Sequence, residues 1–144
     1  MTYIPEPLRR QVTGRANRQC EYCRLHEENS FYAHEIDHIY AEKHGGTTTA
    51  GNLCLACFYC NRHKGSNLCS LDPTSGNVVS LFHPRRHTWN DHFRLDRTSG
   101  LIEALTAHGR VTERVLRFNQ YDLVVDRLRL IRLGDYQDTP PELE

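Results

Sequence analysis

One stretch of the chain decides its fold: Cys20-Glu21-Tyr22-Cys23, then His34-Glu35-Ile36-Asp37-His38-Ile39, and then Cys57-Phe58-Tyr59-Cys60-Asn61. The two cysteine pairs share one spacing, and each pair places two sulfurs on a tight turn. Two such turns can close a tetrahedral site around zinc, which accepts four thiolates and then has no open position. We therefore predict a structural zinc bound by all four cysteines. Two disulfides are the alternative, which a reducing compartment disfavours.

The composition of the chain limits the classes of protein it can belong to. It has 144 residues, a formal net charge of zero and no apolar run near the roughly 20 residues of a membrane span. Its first seven residues contain no apolar signal core. We therefore expect a cytoplasmic protein without a membrane partner. A zero net charge gives no general attraction to a phosphate backbone, so binding to nucleic acid would depend on a local basic patch or on a partner protein.

Residues between and beside the cysteine pairs are suited to breaking a phosphodiester bond. Asp37 can supply a hard carboxylate oxygen to Mg²⁺ or Mn²⁺. His38 can take a proton from water near neutral pH. Asn61 directly follows a zinc ligand, so the zinc site fixes its position, and its amide oxygen can complete the metal shell. Asn52 is better suited to orient His38 through a hydrogen bond than to bind the metal. The alternatives are a solvated carboxylate, a structural histidine and a helix cap.

The order of these residues resembles the HNH (ββα-metal) endonucleases, in the branch with two Cys-x-x-Cys pairs. The resemblance runs from about residue 20 to residue 65 and includes the Gly45-Gly46 turn. It implies that Asp37 is a metal ligand, His38 the general base, Asn52 the middle Asn of the family name and Asn61 the third position, where many members have His. It also implies cleavage of DNA through one divalent metal, leaving 3′-hydroxyl and 5′-phosphate ends.

The chain departs from the family pattern at two places. Ala41 stands where many members have Pro, which should affect the loop and leave the chemistry unchanged. His63 competes with Asn61 for the last motif position. Residues two apart on a helix point about 200° apart, so these two side chains cannot both face one ion. The neighbouring zinc pair favours Asn61.

The apolar pattern predicts an α+β fold, and the resemblance implies a ββα-metal core stapled by a zinc site of four cysteines. In the first part we expect a helix at 8–18, strands at 31–39 and 53–55 and a helix at 56–64. The turn sequence Asp72-Pro73-Thr74-Ser75-Gly76 separates this nuclease core, 1–67, from an extension, 68–144, expected to pack on it. The extension is predicted to hold a β-hairpin and two helices, with strands at 78–82, 88–95 and 101–105 and helices at 110–118 and 121–133.

The central helix carries the first candidate contact with the DNA backbone. Arg62, His63 and Lys64 follow Asn61 there and can face phosphate oxygens. On the last helix, Arg127 and its neighbouring charges indicate a solvated face, and the apolar stripes of the last two helices indicate a core or a dimer surface.

The second candidate contact is the segment 83–92. Its Arg85, Arg86 and Trp89 suit backbone contact and base stacking. An exposed hairpin whose Trp89 packs on the core is an equal alternative. The three histidines of this segment invite a second metal site, which is disfavoured because no carboxylate or thiolate pair frames them. The two cysteines outside the pairs, Cys54 and Cys69, are expected to pack as small apolar residues.

The sequence thus predicts a metal-dependent HNH endonuclease that acts on DNA, expected to be duplex, with structural zinc and catalytic Mg²⁺ or Mn²⁺. His38 activates water, and Asp37 and Asn61 hold the catalytic ion. The alternative is a nuclease subunit, or a catalytically silent zinc-stapled nucleic-acid-binding module, that acts with a partner protein or as a homodimer.

Overall fold

Pairs of short strands alternate with helices along the chain, and the two strands of each pair are consecutive in sequence. The computed structural model describes residues 2–136, where three antiparallel two-stranded sheets form. This confirms the predicted α+β class. The strands are β1 (Glu35–His38), β2 (Leu53–Ala56), β3 (Cys69–Leu71), β4 (Val78–Ser80), β5 (Phe93–Leu95) and β6 (Ile102–Ala104). The helices are α1 (Glu6–Arg15), α2 (Phe58–Lys64), α3 (Trp89–His92), α4 (Ala107–Leu116) and α5 (Tyr121–Arg132).

The first hairpin and the helix that follows it form the ββα unit expected from the sequence. Asp37 lies opposite Cys54, and His38 opposite Leu53. The sulfur of Cys57 caps α2 by accepting the backbone N–H of Cys60. The helix begins two residues later than predicted because Ala56 still pairs with β1. The first strand is shorter than predicted, since residues 31–34 lie outside the ladder.

The turn predicted at Asp72–Gly76 is present, and it connects the two strands of a hairpin. Residues 69–71 form β3, which the sequence did not predict, and this strand pairs with β4. The β5–β6 hairpin turns on the same Asp-x-Thr-Ser-Gly pattern, at 96–100. In both turns the glycine has a positive φ, 75° at Gly76 and 81° at Gly100, a conformation that favours glycine.

One hydrophobic cluster joins the two parts of the chain. It includes Tyr22, Trp89, Phe93 and Phe118, all fully or almost fully buried. The indole N–H of Trp89 donates to the carbonyl of Tyr22 at 2.7 Å. A smaller cluster lies between α1 and the first hairpin and contains Val12, Ala16, Leu53 and Leu55.

Several local predictions for the extension were wrong. Residues 88–95 do not form one strand, because α3 precedes β5. Arg127 is buried, and its guanidinium donates to the carbonyls of Gly100 and Phe118, both at 2.8 Å. Cys69 is exposed, whereas Cys54 is buried as expected. Among residues 2–136, no helix is both long enough and apolar enough to span a membrane.

Candidate active site and zinc site

The four paired cysteines converge on one point. Their sulfur atoms all lie within 4.8 Å of one another, and the cysteines are buried. The sulfurs of Cys23 and Cys57 are 3.7 Å apart. This separation is close to the roughly 3.8 Å edge of a zinc–thiolate tetrahedron with 2.3 Å bonds, and far longer than a disulfide of about 2 Å. The cysteines are free, so the disulfide alternative is wrong and a zinc site fits.

The pKa values of these thiols also favour a bound cation. Hydrogen bonds from its three neighbours hold the pKa of Cys23 well below the usual value for a thiol. Burial, followed by the neighbouring thiols, raises the pKa of Cys60 well above that value. The group therefore resists holding four negative charges by itself. A divalent cation removes that resistance, because metal binding displaces the thiol protons.

Asp37 lies in a confined place beneath α2. Its side chain is 12% exposed, and its Oδ2 contacts the ammonium of Lys64 at 2.9 Å. Lys64 is 2% exposed and also donates to the backbone carbonyl of His38 at 3.0 Å. Burial raises the pKa of Asp37, and the nearby Lys64 opposes that shift. The ammonium of Lys64 thus contacts one edge of the Asp37 carboxylate. The oxygens of this carboxylate are the hard donor type that Mg²⁺ prefers.

A second carboxylate stands beside Asp37 on the same strand. Glu35 is two residues earlier on β1, so both side chains lie on one face of the strand. The amide nitrogen of Asn61 donates a short hydrogen bond to Glu35. Lys64 and Asn61, three apart on α2, therefore lie over Asp37 and Glu35 respectively. Glu35 was not predicted from the sequence as a site residue, although its position two before Asp37 could have indicated that the two side chains share a face.

Two side chains hold the ring of His38 at its Nε2 edge. Its Nε2 lies 2.9 Å from the hydroxyl of Thr48 and 3.2 Å from a carboxylate oxygen of Glu42. Hydrogen bonds, led by one from Thr2, lower the pKa of Glu42. An ionised carboxylate only accepts hydrogen bonds, so the proton of a neutral His38 belongs on Nε2. Its Nδ1 then keeps the lone pair that a general base needs.

Asn52 fixes the loop around His38 rather than the ring itself. Its amide nitrogen donates to the carbonyls of Tyr40 and Thr47, and its amide oxygen accepts the N–H of Tyr40. The predicted direct hydrogen bond from Asn52 to His38 is wrong, because Thr48 and Glu42 hold the ring. Gly46 in this loop has no room for a side chain, since a Cβ there would lie 1.7 Å from the carbonyl oxygen of Tyr40.

A cleft of about 790 Å³ opens along β1. Residues of the N-terminal segment and α1 form one wall, including Arg9 and Thr13. Asp37 and His38 lie on the other wall together with Glu35, and Glu42 also lines the cleft. Asp37, His38 and Glu35 therefore share one solvent-accessible space, and Asn61 lies outside its lining, hydrogen-bonded to Glu35.

Most residues predicted to contact nucleic acid are engaged inside the protein. Lys64 is buried against Asp37. His63 bonds through Nδ1 to the carbonyl of Leu116 at 2.9 Å, which ties α2 to α4. Trp89 is buried, so it cannot stack on a base, and the packed alternative for this residue is the one observed.

The three arginines of that prediction differ in their surroundings. Arg85 forms a short ion pair with the buried Glu21. Arg86 is exposed and donates to the hydroxyl of Tyr40 at 3.1 Å. Arg62 is exposed, and its guanidinium lies 4.4 Å from the ring centroid of Phe58.

The histidines of the segment 83–92 cluster with one from α4 but do not form a metal site. The ring centroids of His87, His92 and His108 are 4.7 to 5.6 Å apart. The Nδ1 of His87 accepts the backbone N–H of His83 at 3.0 Å, so a neutral ring carries its proton on Nε2 and cannot ligate through that atom. Within the described part of the chain, the four cysteines are the one cluster of three or more His, Cys, Asp or Glu side chains whose ligand atoms lie close enough to share a metal ion.

The hairpin, the helix after it and the four-cysteine cluster together resemble an HNH unit, and comparison with known families agrees. The model of the HNH endonuclease family matches residues 20–67, a range that contains both cysteine pairs, β1, β2 and α2. The resemblance inferred from the sequence is thereby confirmed for that segment. Neither the curated proteins nor the solved structures include a match to this chain.

Proposed function

We propose that this chain is a metal-dependent endonuclease that hydrolyses DNA phosphodiester bonds in the cleft along β1. The observation that carries the proposal is the way His38 is hydrogen-bonded. Its Nε2 faces Thr48 and Glu42, and its Nδ1 is left to take a proton in the same cleft as Asp37. The HNH family match to residues 20–67 supports nuclease chemistry.

Each residue of the site has a separate task in this proposal. His38 accepts the proton of the attacking water at Nδ1, and the nearby Glu42 carboxylate favours the imidazolium that results. Thr48 keeps the ring in place. Asn52 holds the backbone of the loop that carries Glu42 and Thr48.

The donor set fits a hard divalent cation such as Mg²⁺ or Mn²⁺. Asp37 and Asn61 would hold it, with Glu35 beside them, since carboxylate and amide oxygens suit such ions. When bound, the ion supplies charge stabilisation at the scissile phosphate. The zinc site has a different task, because a ligand set of four thiolates has no open position for substrate. It fixes the first turn of α2 through Cys57 and Cys60, and Cys60 directly precedes Asn61.

A second candidate is a nuclease subunit that obtains its affinity for DNA from a partner protein. The cleft carries Glu27, Glu35, Asp37 and Glu42 but only one arginine, Arg9, among the residues that line it. The formal net charge of the chain is zero. Weak binding to bare duplex DNA with a flat dependence on salt would favour this candidate.

Cleavage of supercoiled plasmid tests the proposal. Zinc-loaded wild type should cut when Mg²⁺ or Mn²⁺ is added and should not cut without either ion. His38→Ala should fold, keep zinc and lose about 10²- to 10⁴-fold in rate, the usual contribution of a general base. His44→Ala is the matched control, since His44 is an exposed histidine of the neighbouring loop. Cutting by His38→Ala at the wild-type rate would remove His38 as the base.

A further inference from the structure

Four side chains form a continuous stack on the surface beside the candidate active site. The rings of Phe31 and Tyr32 meet edge to face, with centroids 5.0 Å apart. Tyr32 stacks on Phe58 at 4.1 Å with an angle of 21° between the rings. The guanidinium of Arg62 lies 4.4 Å from the ring centroid of Phe58. We call Phe31, Tyr32, Phe58 and Arg62 the aromatic ladder.

The outer end of the aromatic ladder is open to solvent. Phe31 is 91% exposed and Tyr32 is 44% exposed. Single exposed hydrophobic residues are ordinary on protein surfaces, but exposed rings that adjoin one another offer flat apolar faces on which bases can stack. Burial in the core does not explain these rings, because Phe31 lies outside both hydrophobic clusters.

The aromatic ladder is continuous with the candidate active site. Tyr32 precedes Glu35 by three residues, and Phe58 and Arg62 lie on α2 on either side of Asn61. The hydrogen bond between Asn61 and Glu35 joins the two elements at that point. A strand whose phosphate lies at Asp37 and Asn61 would therefore have neighbouring nucleotides within reach of these rings.

We propose that the aromatic ladder binds unpaired bases of the DNA strand that is cleaved, so that the preferred substrate carries a single-stranded stretch at the cut. This inference rests on the proposed nuclease function. An exposed ring offers a flat face to any base, and stacking of this kind is tolerant of sequence. Bases inside a duplex are already stacked, and only an opened strand can offer them. Arg62, cationic and exposed, faces the same strand and complements its phosphates.

A binding measurement without catalysis tests the inference. The probe is a fluorescent strand of about 12 thymidines, compared with an abasic strand of equal length and charge, with no Mg²⁺ or Mn²⁺ added. Wild type should bind the thymidine strand about tenfold more tightly than the abasic strand, since stacking on aromatic side chains contributes about that much per base. The Phe31→Ala/Tyr32→Ala variant should bind both strands alike. Tyr121→Ala is the matched control, because Tyr121 is an exposed tyrosine on α5 outside the aromatic ladder.

Several results would overturn the inference. Equal binding of the two strands by wild type would do so, as would no binding of either strand. Retention of the full preference by a double variant that keeps zinc and melts at the wild-type temperature would also overturn it. If the double variant does not fold, Phe31→Ala serves alone, since that side chain is almost fully exposed. Plasmid cleavage without any preference for bases would remove this inference and leave the proposed function. A preference for bases without any cleavage would remove the proposed function and leave base stacking as a property of the surface.

Discussion

Two aspartates with little exposure to solvent, one beside the four-cysteine cluster and one in the extension, have very different surroundings. Asp72, at the β3–β4 turn, is 1% exposed. Its oxygens accept two hydrogen bonds from Arg110 at 2.8 and 3.0 Å, one from Ser75 at 2.8 Å and one from the N–H of Thr74 at 3.2 Å. Asp37 is 12% exposed and faces the single ammonium of Lys64.

The pKa values of the two carboxyls move in opposite directions. The hydrogen bonds from Arg110 hold the pKa of Asp72 well below its usual value. Burial raises the pKa of Asp37, because Lys64 does not fully offset the loss of water. A carboxylate surrounded by donors stabilises a turn. One with few donors retains the capacity to bind a further cation, which is what the proposed function requires of Asp37.

Loss of the zinc site should have the largest effect on stability. The site lies at the start of α2, the helix that carries Lys64 against Asp37. Cys60→Ala removes one of the four thiolates, and the binding free energy of structural zinc, about 10 kcal/mol or more, is also folding free energy. We therefore expect an unfolded chain with no stoichiometric zinc, measured by metal analysis and circular dichroism. Cys54→Ala is the control, because Cys54 is buried but lies outside the site. A folded, zinc-free Cys60→Ala would contradict a structural role for the metal.

Removal of the cation beside each aspartate should separate the two environments. Lys64→Met leaves Asp37 buried without a partner and should lower the free energy of unfolding by about 3 kcal/mol. The double variant Lys64→Met/Asp37→Asn should recover most of that loss. Arg110→Met should cost less, because Asp72 keeps its hydrogen bonds to Ser75 and Thr74. Urea unfolding measures all three variants. An equal cost for Lys64→Met and Arg110→Met would erase the contrast between the two sites.

The smallest effect should come from Asp72→Asn, and its dependence on pH is diagnostic. A folded-state pKa below the unfolded value gives stabilisation that is complete above the unfolded pKa and is lost only as the pH falls below it. The variant should therefore be less stable than wild type by a constant amount between about pH 5.5 and pH 8, well above the ordinary aspartate pKa of about 3.9. Plasmid cleavage per folded molecule should be unchanged. A difference that shrinks on acidification within this range would mean that Asp72 is not held ionised.

Features fixed by short spacings could be predicted from the sequence. The pairing of Cys20–Cys23 with Cys57–Cys60, the first hairpin and α2 all follow from local pattern and turn chemistry. The hairpin at the Asp72–Gly76 turn was predicted only in part. Its strand β3 was missed because three residues are too few to show a strand pattern.

Contacts between distant side chains could not be predicted in this way. The sequence by itself determined the four-thiol cluster and the residues of the proposed chemistry, namely Asp37, His38 and Asn61, because their spacing requires little beyond a turn, a strand and a helix. Only the tertiary structure decided that Lys64 faces Asp37, that Glu42 and Thr48 hold His38, and that Trp89 and Arg127 are buried. The physical reason is that burial and pairing depend on which surfaces the fold brings together, and the same Lys, Trp or Arg is equally compatible with water until a partner covers it.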